Sequence, residues 1–256
     1  MQIHQEAIPE ITRYLDNKKH LSVEDMRPDY EAYMRVVKRF KDVTPATRIL
    51  EVGTGTGWFP LLAKIDGLNV RGLEISPQLR DFALDWGRQH GVVPDIQLGN
   101  LEESDVGDQE FDVIIANSVF EHVERWEVGI GRVAKALKPG GILYFCSTNK
   151  FSPISYEYPM WFYGWMPNQM RYNFRQSKDG AEIMKLGIDF NQFRYPELRR
   201  AFREAGFSRI MDRIDVVDTK TLSPAKSAAV EILRKSSLLK WPVLTFCDAT
   251  VFVCVK

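Results

Sequence analysis

The stretch Ile49-Leu50-Glu51-Val52-Gly53-Thr54-Gly55-Thr56-Gly57 constrains the fold of this chain more than any other. A short apolar run passes straight into glycines at alternate positions, and helical spacing follows at once. Glycine adopts left-handed backbone without a Cβ penalty, so the run predicts a strand, a tight turn whose N–H groups approach a ligand closely, and a helix whose N-terminus adds partial positive charge. With strand before, helix after and three alternating glycines, the reading is a bound cofactor rather than glycines that only tighten a corner.

A dinucleotide fingerprint wants its third glycine one place later, where this chain has Trp58. Glu51 at the strand end would repel a pyrophosphate and favour an ammonium group, an arrangement that fits the amino and carboxylate ends of a methionine. Glu74 lies twenty-one residues beyond Gly53, at the end of the next predicted strand. There a carboxylate can accept from both hydroxyls of a ribose; the competing reading is a solvated carboxylate beside the helix start Ser76-Pro77.

The order of periodic segments predicts an α/β fold, a doubly wound, Rossmann-like, mostly parallel sheet of seven strands with helices on both faces. Runs 48–53, 69–75, 95–100, 111–117, 141–148, 207–217 and 249–255 read as strands. Apolar spacing predicts helices through Leu79, Phe82, Ala83 and Trp86, through Ile130, Val133, Ala134 and Leu137, and through Leu198, Ala201, Phe202 and Ala205. Residues 6–16 and 28–41 predict an N-terminal helical cap, with Tyr30, Tyr33, Met34 and Val37 on one face. A further helix is expected from Ser223-Pro224 to about Lys240, with Ala225, Ala228, Ala229 and Ile232 inward and Lys226, Arg234 and Lys235 outward.

The expected organisation is one domain over 1–256, divided into a cap (1–45), a cofactor-binding core (46–148), an insertion (149–190) and the C-terminal part of the sheet (191–256). Thirty-four basic residues balance thirty-four acidic ones, which disfavours a nucleic-acid partner. No segment approaches the ~20 apolar residues of a membrane helix. Cys146, Cys247 and Cys254 lack metal-site spacing and read as buried thiols of a reducing compartment. The opening residues lack a secretory pattern, so the expected location is cytoplasmic.

Several motifs now arrive in order: the glycine loop, Arg71-Gly72-Leu73-Glu74-Ile75, Gly99-Asn100-Leu101, the strand Phe111–Asn117, and Leu137-Lys138-Pro139-Gly140-Gly141. Together they make the chain resemble the class I S-adenosylmethionine-dependent methyltransferases, over roughly residues 46–150. The resemblance implies S-adenosyl-L-methionine as cofactor and S-adenosyl-L-homocysteine as product. It implies that Glu51, Gly53, Thr54, Gly55 and Gly57 hold the methionine part, Glu74 the ribose, Ile75 and Leu101 the adenine faces, and Asn117 the wall beside the sulfonium. Asn100 departs from the aspartate that many relatives carry. Its carbonyl oxygen can still accept from the adenine amino group, without the charge.

Methyl transfer from a sulfonium is an in-line displacement, so positioning and exclusion of water dominate. For a hydroxyl acceptor a base helps, and His122 in Glu121-His122-Val123, just past the fourth strand, is the catalytic candidate. The alternative is that His122 packs under the cofactor or caps a helix. Glu121-His122-Val123 and Ser147-Thr148-Asn149 look like the ubiquinone-biosynthesis O-methyltransferases and related small-molecule methyltransferases. Some relatives carry a further glutamate where this chain has Ser118. Glu121 and His122 alone make a poor magnesium site, so no metal is expected.

The insertion is aromatic, and Tyr156, Trp161, Phe162, Trp165 and Arg171 are the candidate substrate residues. It reads as a lid over the acceptor, as a core extension or dimer contact, or as a surface that meets a lipid interface. The alanines of the 224–240 helix favour packing on the sheet over lipid burial. The function expected is methyl transfer to an oxygen of a hydroxylated small molecule: a phenol, quinone precursor, sugar or lipid-like compound. The alternatives are a nucleotide-dependent oxidoreductase or a non-catalytic binding scaffold.

Overall fold

The computed structural model describes residues 11–12, 15–16, 20, 22–155, 158–180 and 190–256. Its strands are β1 (Arg48–Val52), β2 (Asn69–Glu74), β3 (Asp95–Leu98), β4 (Phe111–Asn117), β5 (Leu137–Thr148), β6 (Arg209–Asp212) and β7 (Ala249–Val255). They form one seven-stranded sheet in the order β3-β2-β1-β4-β5-β7-β6. Pairing is parallel from β3 through β5, and β7 runs antiparallel to both β5 and β6. The doubly wound, mostly parallel sheet read from the sequence is therefore the one observed. The chain winds outward from β1 to β3 and returns to place β4 on the other side of β1. Such a reversal opens a crevice at the carboxyl ends of the two central strands.

The central strands are buried on both faces, and alternate residues divide the core into two layers. Leu50, Val52, Ile114, Ala116, Leu143 and Phe145 share one layer with α4 (Trp126–Ala136) and α6 (Tyr195–Glu204). Ile49, Val113, Ile115, Ile142 and Tyr144 share the other with α1 (Arg27–Lys38), α2 (Trp58–Ile65) and α3 (Pro77–Gln89). Of the predicted face of α1, Tyr30, Met34 and Val37 are buried and Tyr33 is half-buried. Ile130, Val133, Ala134 and Leu137 are buried as well. The expected helix over 6–16 lies mostly outside the described residues.

Other expectations need correction. The insertion, for which no helix is expected from the sequence, contains α5 (Asn168–Asp179), and Ile154 bridges to Trp161. The strand expected over 207–217 stops at Asp212, whose side chain accepts from the N–H groups of Ile214 and Asp215 while Asp215 caps back. This reciprocal capping box turns the chain into the short helix α7 (Arg213–Val216). The helix expected over 224–240 is two helices, α8 (Pro224–Lys235) and α9 (Ser237–Phe246), broken at Ser236, whose hydroxyl accepts from Leu239 N. Its inward side is also different. Ala225, Ala228, Ala229 and Ile232 are exposed, whereas Val230 and Leu233 pack on the core. Arg234, expected outward, donates to the carbonyls of Ile214, Asp215 and Val217. These orphan carbonyls around α7 draw the guanidinium inward. Cys146 and Cys254 are buried as expected; Cys247 is half-buried.

Candidate functional site

Gly53, Gly55 and Gly57 all take left-handed backbone, with φ of +66°, +56° and +75°. Two of them also answer to close neighbours. A Cβ on Gly53 would stand 2.4 Å from Val119, and one on Gly57 would stand 2.4 Å from Ala83 of α3. Gly55 is different: beyond its own chain neighbours, no atom lies within 4 Å of the place its Cβ would take. The turn is thus closed beneath Gly53 and Gly57 and open above Gly55, a cradle a ligand can enter. The indole of Trp58 lies stacked on Tyr33 of α1, ring centroids 5.8 Å apart.

Two buried carboxylates face this turn. Glu51 accepts from the hydroxyl of Thr54, its neighbour in the turn. Burial raises its carboxyl to about 8, against the lowering effect of the Thr54 hydroxyl, and the nearby Glu74 adds to the rise. Glu74 accepts from Gly55 N at 2.7 Å and from Ser76 N at 2.9 Å. Burial lifts its carboxyl to about 7, opposed by the N–H groups of Ser76, Gly55 and Ile75. Glu74 is buried rather than solvated, so the surface-carboxylate reading does not describe it.

Beyond β3, Asn100 is buried and accepts the N–H of Glu102 at 3.0 Å through its side-chain oxygen, with Leu101 buried beside it and Ile75 half-buried at the end of β2. Glu102, unremarked in the sequence, is itself buried and accepts from Arg125 N at 2.7 Å.

On the other side of the crevice β4 ends at Asn117, and Ser118 follows with φ +54°. Left-handed backbone at a non-glycine residue is uncommon. It turns the chain into the short 3₁₀ segment Phe120–His122. His122 is half-buried there, next to Glu121, which is fully buried and accepts from the hydroxyl of Ser147. Asn191 clamps this segment. Its side-chain nitrogen donates to Phe120 O at 3.1 Å and Val123 O at 2.7 Å, and its backbone N donates to Glu121 O at 3.1 Å. Thr148 Oγ1 donates to Asn191 O at 3.0 Å, tying the clamp to the end of β5. Neither Val119 nor Asn191 carries a local sequence signal, since each acts on a segment far away in the chain.

Of the candidate substrate residues, three pack ring on ring at the surface and one is buried. Trp161, Phe162 and Trp165 are exposed on the outside of the insertion. Arg171 is fully buried, donates to Asn168 Oδ1 at 2.8 Å and lies over the rings of Tyr163 and Tyr172. Tyr156 falls outside the described residues. Among the described residues no group of three or more His, Cys, Asp or Glu side chains is placed to hold a metal ion, and no helix is long and apolar enough to cross a membrane.

A family model described as a methyltransferase domain matches residues 5–211. The chain is 26% identical over 139 residues to a ubiquinone biosynthesis O-methyltransferase of Rickettsia bellii, covering 52% of this chain and 56% of that protein. It is 28% identical over 119 residues to phosphoethanolamine N-methyltransferase 2 of Caenorhabditis elegans, covering 44% of this chain and 26% of that one. The chain therefore spans about half, or less, of the length of these curated relatives. Among solved structures, a SAM dependent methyltransferase from Archaeoglobus fulgidus aligns with a TM-score of 0.57 at 16% identity, covering 95% of this chain and 99% of that one. Haemonchus contortus phosphoethanolamine N-methyltransferase 2, in complex with phosphomonomethylethanolamine and S-adenosylhomocysteine, aligns with a TM-score of 0.56 at 16% identity, covering 88% and 52%. At that identity the structures speak for the fold alone.

Proposed function

This chain belongs to the methyltransferase domain family, and we propose on that premise that it transfers a methyl group from S-adenosyl-L-methionine to an oxygen of a hydroxylated small molecule in the cytoplasm. The acceptor classes are a phenol, a quinone precursor, a sugar or a lipid-like compound. The observation that carries the proposal is the open cradle above Gly55, bordered by the buried carboxylates of Glu51 and Glu74 at the β1–β4 crevice.

The residues present fit that cofactor. Glu51 and the Gly53–Gly57 turn, Thr54 included, would hold its amino-acid end, where a buried carboxylate favours an ammonium group and the helix N-terminus a carboxylate. Glu74 would hold the ribose, Asn100 the adenine amino group, Ile75 and Leu101 the adenine faces, and Asn117 would border the reacting centre. When bound, the cofactor supplies an electrophilic methyl group on a sulfonium. The protein's part is to align the acceptor, keep water out, and accept the acceptor's proton at the imidazole of His122 as its hydroxyl becomes a nucleophile. In this reading residues 46–148 hold the cofactor, 1–45 and 149–190 border the acceptor, and 191–256 complete the sheet. The oxygen acceptor follows the ubiquinone biosynthesis relatives; the phosphoethanolamine relatives support nitrogen as the second choice.

Calorimetric titration with S-adenosylhomocysteine and with a nicotinamide dinucleotide tests the cofactor. Saturable binding of the former and weaker binding of the latter is expected; the reverse order would make the chain an oxidoreductase. Release of S-adenosylhomocysteine over a panel of catechols, sugars and phosphoethanolamine then tests the acceptor. Turnover only with the amine would overturn the oxygen assignment, and tight cofactor binding without turnover on any acceptor would favour a scaffold.

A further inference from the structure

The carboxyl end of β5 pairs with the start of β7, Thr148 opposite Ala249. The insertion that leaves β5 and the helix α9 that enters β7 therefore emerge at one edge of the sheet, the same edge at which the glycine turn opens. There they build a continuous apolar face. Trp161, Phe162, Trp165 and Phe246 form an unbroken run of ring contacts, with successive centroids 5.9, 5.1 and 6.5 Å apart. Leu239 and Val243 extend it along α9, at i and i+4 of a stripe that ends on Phe246 at i+7. All six are exposed, from Trp161 at 63% to Val243 at 42%. Apolar surface left in water on this scale marks a contact face.

The charge pattern says what the face meets. Residues 158–178 and 232–247 contain Arg171, Arg175, Lys178, Arg234, Lys235 and Lys240 and not one carboxylate, in a chain whose thirty-four basic and thirty-four acidic residues balance as a whole. Arg171 is buried, and Arg175, Arg234 and Lys240 are paired with Asp179, Glu231, Asp212 and Asp215, whereas Lys178 and Lys235 stand exposed. A second copy of this chain would bring cations against cations across such a face. An anionic bilayer surface instead attracts the lysines and accepts the rings. Trp165 is suited to that place, because its indole N–H is already donated inward to Ser152 O at 3.2 Å and its ring can enter an apolar layer without an unpaired donor.

We propose that this face, Trp161, Phe162, Trp165 and Phe246 with Leu239 and Val243, docks the protein on an anionic lipid surface. The inference goes beyond the methyl-transfer reading, since neither donor nor acceptor chemistry enters it. It is tested by sedimenting the full chain with phosphatidylcholine vesicles with and without phosphatidylglycerol. Binding to the anionic vesicles is expected, weakened by added salt, and reduced about tenfold or more in a Trp161→Ser, Phe246→Ser double variant. The same variant is titrated with S-adenosylhomocysteine, so that loss of vesicle binding with unchanged cofactor affinity supports the docking face whatever the acceptor proves to be. Should the variant fail to fold, vesicles of brominated lipid answer on the native chain, where quenched tryptophan emission supports insertion and unquenched emission overturns it. No binding to anionic vesicles, or equal binding by the double variant, would overturn the proposal. A native dimer in solution that the double variant dissociates would assign the face to a second copy instead.

Discussion

The carboxylate of Glu74 accepts the backbone N–H of Gly55 at 2.7 Å, joining the end of β2 to the open point of the glycine turn. The side chain proposed to hold the ribose therefore also sets the shape of the turn proposed to hold the amino-acid end. Replacing Glu74 by Ala is expected to weaken S-adenosylhomocysteine by about 1.5–3 kcal/mol, the worth of a charged hydrogen-bond partner. Glu74→Gln keeps an acceptor oxygen for Gly55 and is expected to fall between the two. Calorimetry decides, and equal affinity in native chain and Ala variant would remove Glu74 from the site.

Glu51 and Glu74 lie too deep to be charged cheaply, and burial raises their carboxyls to about 8 and about 7. The folded chain thus holds protons that the unfolded chain releases from about pH 4.5 upward, so the stability these groups contribute at low pH is lost as pH rises through 7 and 8. Without cofactor, the melting temperature is expected to fall as pH rises from about 5 to 8. Glu51→Gln should flatten that profile. An ammonium group bound beside Glu51 favours the charged form, so cofactor affinity is expected to rise with pH over the same range, by at most about tenfold per unit and proton. A native profile as flat as that of the variant would remove Glu51 as the source.

The turn itself was legible in the sequence because its signal is local: three alternating glycines all take φ above zero, whatever neighbours they also meet. The doubly wound class and its seven strands followed from the alternation of apolar runs and helices. What was not legible depends on distant partners. Val119 lies against Gly53 only because β4 returns beside β1. Arg234 is drawn inward by three carbonyls that exist only once Asp212 and Asp215 have ended a strand early. The alanines of α8 read as an inward face because small residues suit close packing, yet tertiary contact chose Val230 and Leu233. The capping box at Asp212 is visible in the sequence once the three-residue spacing is sought.

Gly53 and Gly55 separate backbone strain from steric fit. Both have positive φ, which costs an alanine roughly 1–2 kcal/mol. Only at Gly53 does the new methyl group meet a side chain, Val119 at 2.4 Å, which adds an overpacking term of about 1–3 kcal/mol. Gly53→Ala is expected to be the less stable variant in urea unfolding, and Gly53→Ala with Val119→Ala should recover part of the difference. Gly55→Ala is expected to be the more damaging for cofactor binding relative to its stability, because its methyl enters the space of the cradle. Equal losses of stability in the two single variants would rule out the Val119 contact.

Asn191 offers a test of whether the position of His122 matters to turnover. Its side chain holds the carbonyls of Phe120 and Val123, on either side of Glu121-His122. Asn191→Ala leaves two acceptors without that donor, at a cost of about 1–3 kcal/mol in stability, and frees the segment that carries His122. If the imidazole takes the acceptor's proton, kcat should drop while S-adenosylhomocysteine affinity stays near the native value, and the pH–rate profile should lose its acidic limb in His122→Gln. Aspartate at 191 has the shape of asparagine without the donor, so Asn191→Asp should resemble the Ala variant rather than the native chain. A purely structural clamp would instead lower stability with no change in kcat at temperatures well below unfolding, and that result would return His122 to a packing role.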